Sequence, residues 1–290
     1  MIPRRLDKFL ADATPLSRSQ IKDAFEAGRI AVRPGPAHGG GDHALYSLIF
    51  ADDQVLLDDQ PVELTPPRHY LALHKPPGIL STTDSPQDRP CLARWLDDLP
   101  PSLFPVGRLD KNTTGLLLLT DDGDLCFCLL RPWFKVPKEY HLTLEGRISP
   151  RDPRLEHLRE GIAIDDSGRP ASALSVRVME HFFGTTRLSL VIDEGRNHVV
   201  RKMARRAGLH LRHLHRWRIG PHPLGALARG KTRRLSKAEV DALWQACGGR
   251  DASRQRRIDA LGRQAQKFRA QERPHHRLEA WLQTQDSLPT

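Results

Sequence analysis

Apolar positions recur at helical spacing twice within the first thirty residues. Leu6, Phe9 and Leu10 share one face before Pro15 interrupts the pattern. Ile21, Ala24 and Phe25 then share another, behind Ser17 as an N-cap and ahead of Gly28, which stands where a left-handed residue stops a helix. The spacing predicts helix, helix and a strand over 29–32, with Arg5, Lys8, Arg18 and Lys22 opposite the apolar faces. A turn-rich stretch, PGPAHGGGDHA, follows, then short apolar runs among Asp52, Asp53, Asp58, Asp59 and Glu63. The span 61–68, with three prolines, reads as a linker.

From 70 to about 246 the pattern becomes α+β. Short apolar or alternating runs over 70–74, 115–120, 140–144, 174–178, 187–192 and 210–215 predict strands, and helical spacing falls over 91–96, 155–160 and 198–207. In the last of these Val199, Val200, Met203, Ala204 and Ala207 share a face, which leaves Arg201, Lys202 and Arg205 off the core. A closing helix is predicted over 236–246, around Val240, Leu243 and Trp244. Beyond Gly248 and Gly249 the chain is basic, Gln-rich and broken by Pro274; pieces such as 258–270 suit a helix, yet the tail is expected to be mobile or to fold only on RNA.

Composition narrows the class. With 290 residues and 39% hydrophobic positions, at a mean hydropathy of −0.50, the chain can bury a core, which excludes a disordered polyelectrolyte and suggests two domains. No apolar run approaches the roughly 20 residues of a membrane span, and the start lacks a signal-peptide core, so a cytoplasmic protein is expected. Four cysteines form no CxxC pair, hence no zinc framework. The net charge is +10, and its distribution is informative: between Glu194 and Glu239 there is no acidic residue and there are thirteen Lys and Arg. Such a block suits a phosphate backbone. A solvated helix face would carry the same charges, and an anionic membrane surface would need an amphipathic anchor that is missing here.

The string most suggestive of chemistry is FPVGRLDKNTTGLLLLTDDGDL, 104–125. Gly107 permits a tight approach, Arg108 supplies charge, and Asp110 sits in a polar loop before an apolar strand. A carboxylate held there near basic groups would stay ionised and could act as nucleophile or base. Asp110 followed by Asn112, Thr113 and Thr114 would equally suit an Asx turn. Asp121, Asp122 and Gly123 read as the turn after the strand rather than as metal ligands. Lys75, before Pro76-Pro77-Gly78, stands where a turn fixes a strand end.

At this string the chain resembles the RsuA/RluB/RluE/RluF group of bacterial ribosomal RNA pseudouridine synthases. GRLDKNTTGLLLLTDDGDL is similar to the group's central motif, whose nucleophilic aspartate falls on Asp110. LALHKPPGILSTTD, 71–84, resembles its strand ending in a Lys-Pro-x-Gly turn; KEYHLTL, 138–144, the segment supplying an aromatic residue, here Tyr140. EGRNHVVRKM, 194–203, resembles the motif supplying the aspartate's basic partner, here Arg201, with Lys202 or Arg205 as alternatives; LHRWRIG, 214–220, places a packing leucine at Leu214. The start resembles an α-L RNA-binding domain. Two departures stand out: Val199 where the group usually has Gln, and a longer loop over 34–44.

The resemblance implies a small N-terminal α-L RNA-binding domain over 4–65, then a mixed, largely antiparallel sheet flanked by helices over 68–248, with 249–290 a basic tail outside it. It implies an isomerase that converts one uridine of ribosomal RNA to pseudouridine without metal or cofactor, a monomer acting on ribosomal RNA or an assembly intermediate and not on membrane. Asp110, Tyr140 and Arg201 would be catalytic, and Arg108 and Leu214 would line the substrate pocket. Arg5, Lys8, Arg18, Lys22, Lys75, Arg196, Lys202 and Arg205 would contact RNA. STTDSPQDRP and TDDGDL lean the target toward small-subunit (16S) RNA, while FPVGRLDK and the tail keep large-subunit (23S) RNA open. A non-catalytic assembly factor is the rival, and the intact Asp110, Tyr140 and Arg201 weigh against it.

Overall fold

The structure is a computed structural model that describes residues 3–35, 44–64, 69–83, 89–95, 103–166, 168–270 and 276–286. These fall into two compact units, one formed by the residues up to 64 together with those from 248 on, the other by those from 69 to 247.

The first unit opens with β1 (Arg4–Arg5), α1 (Leu6–Ala13), α2 (Arg18–Glu26), β2 (Ile30–Arg33), β3 (Leu48–Ile49), β4 (Gln54–Leu57) and β5 (Gln60–Val62). Ser17 caps α2 in a full capping box: its hydroxyl accepts from the Gln20 amide, and the Gln20 side chain accepts from the Ser17 amide at 2.8 Å. Gly28, at φ +70°, ends the helix, and its amide bonds Phe25 O. Leu6, Leu10 and Ile21 have no exposed surface and pack with Val55 beneath the antiparallel β2-β4-β5 sheet.

The second unit is α+β, built on one mixed sheet. Its elements are β6 (Tyr70–Lys75), β7 (Phe104–Pro105), β8 (Thr114–Thr120), α3 (Gly123–Leu130), β9 (Lys138–Glu145), α4 (Pro153–Glu160), β10 (Ser175–Phe182), β11 (Thr185–Ile192), α5 (Val199–Arg206), β12 (Leu211–Ile219), β13 (His222–Pro223), β14 (Thr232–Arg234) and α6 (Lys237–Ala246). The sheet runs β10-β11-β9-β12-β8-β6-β14, with β13 on β12 and β7 on β8. Every pairing is antiparallel except β12 with β8, which is parallel and joins through two residue pairs, His215 with Thr114 and Arg216 with Gly115. Gly115 is required at this seam: at φ +107°, a β-carbon would stand 2.6 Å from the Arg216 amide nitrogen and closer still to its carbonyl oxygen. Alternation along the strands builds two cores. Tyr140, Leu142 and Leu144 of β9 face one, with Leu155 of α4 and Val200 and Met203 of α5; Leu116 and Leu118 of β8 face the other, with Leu129 of α3 and Leu243 and Trp244 of α6.

Two expectations change. Asp122 and Gly123 do not make a turn between strands but start α3: the Asp122 carboxylate accepts from the amides of Asp124 and Leu125 at 3.0 and 2.9 Å, and the Tyr70 hydroxyl donates to it at 2.8 Å. The four-residue span Leu92–Trp95 is a 3₁₀ turn rather than the predicted α-helix. The tail carries α7 (Gly249–Ala270) and α8 (His276–Asp286). Leu48 and Phe50 of the first unit supply the apolar surface that orders it: Ile258, Leu278 and Trp281 are buried against them.

Candidate active site

Asp110 lies in the loop that leads into β8, its side chain 29% exposed. The loop turn is closed through backbone, Thr113 N donating to Asp110 O at 3.0 Å, so the carboxylate is left for other partners. Arg201, on the first turn of α5 and 91 residues away in sequence, donates from Nε to Asp110 Oδ2 at 2.8 Å. Its second arm donates from Nη2 to Thr113 Oγ1 at 2.9 Å, and that hydroxyl donates to Asp110 Oδ2 at 3.2 Å. His198, the left-handed residue that caps α5, brings Nε2 to 3.3 Å from Asp110 Oδ1. The sequence suggests only an Asx-turn role for Thr113 and none for His198; the i+3 spacing of Thr113 from Asp110 is the signal available for its contact with the carboxylate. Lys202, half-buried, and Arg205, exposed, do not take the place of Arg201 beside the carboxylate.

Lys75 anchors the same loop from below. It has no exposed surface, and its ammonium donates to the carbonyls of Pro76, Lys111 and Thr113 at 2.9, 3.0 and 3.0 Å. Burial pushes its pKa from 10.5 down to about 8, against the pull of the Asp110 charge. Ser81 makes a parallel tie, its hydroxyl donating to Leu109 O and accepting from Leu109 N. A buried ammonium saturated by carbonyls has no surface to offer a phosphate, which corrects the RNA-contact assignment of Lys75. Its role is to fix the carboxylate's backbone.

A cleft of about 760 Å³ adjoins this pair, with Arg201, Leu214, Asn112 and Thr114 on one part of its wall. His141, His215, Trp217, Arg187 and Arg229 form another part. Among the described residues, no group of three His, Cys, Asp or Glu side chains converges as a metal site, and no helix is long and apolar enough to cross a membrane.

The RNA pseudouridylate synthase family matches residues 69–206 of the chain, the stretch holding Lys75, Asp110, Tyr140 and Arg201. An RNA pseudouridine synthase of Aquifex aeolicus is 33% identical over 258 residues, 89% of this chain and all of that one. This chain belongs to the RNA pseudouridine synthases. Ribosomal large subunit pseudouridine synthase B of Bacillus subtilis is 29% identical to this synthase over 239 residues, 82% of the chain and 95% of that protein. A solved pseudouridylate synthase, 30% identical, superposes with a TM-score of 0.57 over 83% of this chain and 99% of its own. The synthase is therefore an RNA-directed isomerase of the bacterial RsuA/RluB type.

The remaining site candidates of the synthase fall in varied places. Leu214 is buried and on the cleft wall. Tyr140 is 8% exposed and shares a core with Leu109 and Leu214, on the face of β9 opposite His141 and Thr143. Arg108 is exposed and does not line the cleft, a departure from the expected pocket role, because the turn at Gly107 directs it to solvent while Leu109 goes inward. Arg196 is another correction: it is held by Glu194 at 2.9 Å and donates to the carbonyls of Arg169 and Pro170, so its guanidinium is spent within the fold. Arg5 pairs with Asp7 and lies over the Tyr46 ring, and Arg18 approaches the same carboxylate at 3.7 Å. Lys22 pairs with Glu26, and Lys8 is half-buried on α1. The acid-free block is not acid-free in space: Arg212 meets Glu145, Arg218 meets Glu139 and Arg233 meets Glu239.

Proposed function

We propose that this synthase isomerises a uridine of ribosomal RNA to pseudouridine with Asp110 as its catalytic carboxylate. The observation that carries the assignment is the Arg201–Asp110 pair, closed by Thr113 at the rim of a cleft. The reaction breaks the N1–C1′ bond, turns the uracil and joins C5 to C1′, with the C5 proton released. Asp110 serves either by attack at C1′ or by taking the C2′ proton to give a glycal. The Arg201 guanidinium pairs with the carboxylate and fixes its orientation when RNA closes the site to water. Leu214 walls the pocket, and Tyr140, in the same apolar cluster as Leu109 and Leu214, stacks on the extruded base. Such stacking is worth about 1–3 kcal/mol, set against a few kcal/mol for flipping the nucleotide.

The N-terminal part of the first unit, with α1, α2, the β2-β4-β5 sheet and basic Arg5, Arg18 and Lys22, serves as an α-L type RNA-binding domain, and exposed Arg205 adds backbone contacts beside the cleft. The large-subunit name of the Bacillus subtilis relative favours large-subunit over small-subunit RNA as the target. C5-tritiated ribosomal RNA tests the reading: the wild type releases tritium, and Asp110→Asn abolishes release while binding RNA as before. Release by the Asn variant at the wild-type rate would remove Asp110 from the chemistry.

A further inference from the structure

The part of the cleft wall away from Asp110 has no part in the chemistry above. Its floor is made of half-buried rings on neighbouring strands: His141 of β9 and His215 and Trp217 of β12. His141 and Trp217 lie nearly parallel, 15° apart at 5.3 Å between centroids, and His215 is tilted 34° to His141 at 6.3 Å. Thr114 Oγ1 fixes His215 Nδ1 at 2.9 Å, and His74 packs edge-on against His215 from β6. Arg187 and Arg229 are exposed at the rim, Arg187 with its Nη1 arm on Glu180 of β10 at 2.6 Å and its remaining N–H groups open to the cleft side. Burial lowers the His141 pKa and pushes that of His215 down to about 4, so both rings are neutral at pH 7. A floor of neutral rings, two of them near-parallel and stacked on one another, below a rim of guanidinium groups fits a nucleobase with its phosphate. The cleft, about 760 Å³, lies in the size range of about 300–1,000 Å³ typical of ligand sites and has room beyond one base.

We infer that His141, His215 and Trp217 form a second base-stacking subsite, which holds an unpaired nucleotide of the RNA substrate while Arg187 and Arg229 bind its phosphate. The subsite rests on the reading of the chain as an RNA-directed synthase and extends it, because a second held nucleotide fixes the strand entering the cleft. Stacking tolerates any base, so the subsite grips unpaired RNA and leaves the choice of target to other contacts.

A fluorescein-labelled decamer of oligo(A) tests this on the full chain; it contains no uridine and so cannot be turned over. Trp217→Ala and His141→Leu each weaken decamer binding about 5- to 100-fold, the range for one lost base–aromatic stack, while Asp110→Asn leaves it unchanged. Trp217→Phe, which keeps a ring and spares the packing, retains affinity but loses the decamer-induced quenching of tryptophan emission. Unaltered affinity in both Trp217→Ala and His141→Leu overturns the inference, as does full quenching in Trp217→Phe. Competition by polyglutamate as strong as by unlabelled oligo(A) also overturns it, since that marks a surface for anions in general. None of these results depends on tritium release, so the subsite and the catalytic assignment fail separately.

Discussion

Replacing Lys75 by Met probes how the carboxylate is held without touching it. Met fills nearly the same space but cannot donate, so the carbonyls of Pro76, Lys111 and Thr113 lose bonds of 2.9–3.0 Å. Hydrogen bonds to a charged group contribute about 1.5–3 kcal/mol each. Against them stands the cost of burying an ammonium: a pKa lowered from 10.5 to about 8 corresponds to about 3 kcal/mol at neutral pH. The three bonds outweigh that cost, and Lys75→Met should destabilise the catalytic unit by about 2–5 kcal/mol. Urea unfolding at pH 7, followed by far-UV circular dichroism and tryptophan emission, measures this. Turnover should fall more than RNA affinity, because two of the three carbonyls flank Asp110 on the loop that carries it. A loss below about 1 kcal/mol would mean that the loop holds its shape without the ammonium, and the argument from buried charge would fail.

The same residue gives stability a pH dependence. Because the folded pKa of Lys75 lies below its unfolded value, the unfolded chain binds the extra proton between about pH 8 and 10.5, and the residue's contribution to stability rises with pH across that window. The gap between wild type and Lys75→Met should therefore widen from pH 8 to 10, and a gap that narrows would reverse the sign. Gly115→Ala should cost about 2–4 kcal/mol by thermal unfolding, since both its positive φ and the Arg216 backbone oppose a β-carbon; a wild-type melting temperature would show that the seam yields. Arg201→Lys keeps the charge but cannot hold Asp110 and Thr113 with one planar group, so kcat should drop about 10- to 100-fold in tritium release with little change in KM. A kcat at the wild-type level would reduce the guanidinium to a counter-charge.

Local periodicity made α2, α5, α6 and most sheet strands legible, because their apolar faces match the core they meet. Arg201 could be separated from Val200 and Met203 on α5 by that spacing alone, and the family resemblance then tied it to Asp110. Lys75 reads in the sequence as the residue before a turn and, through the resemblance, as an RNA contact; lysine is rarely fully buried, and only three carbonyls converging from two loops reveal why this one is. Asp122 misled because Asp-Gly is both a turn signal and an N-cap signal, and the apolar face of Leu125, Cys128 and Leu129 that decides between them follows the pair. The acid-free stretch after Glu194 overstated the free positive charge, since Glu139 and Glu145 arrive on β9 from fifty or more residues upstream. The tail's helices depend on Leu48 and Phe50, which no window of tail sequence contains.

The two-pair seam between β8 and β12 has one more consequence. Asp110 and Lys75 belong to the half of the sheet built from β6, β7, β8 and β14, whereas Arg201, Tyr140 and Leu214 belong to the half built from β9 to β12 and α5. The carboxylate and its guanidinium are thus contributed from opposite banks of a narrow junction. Their 2.8 Å contact reports the alignment of the two halves, and a load placed on either half reaches the Asp110 carboxylate as a change in that one separation.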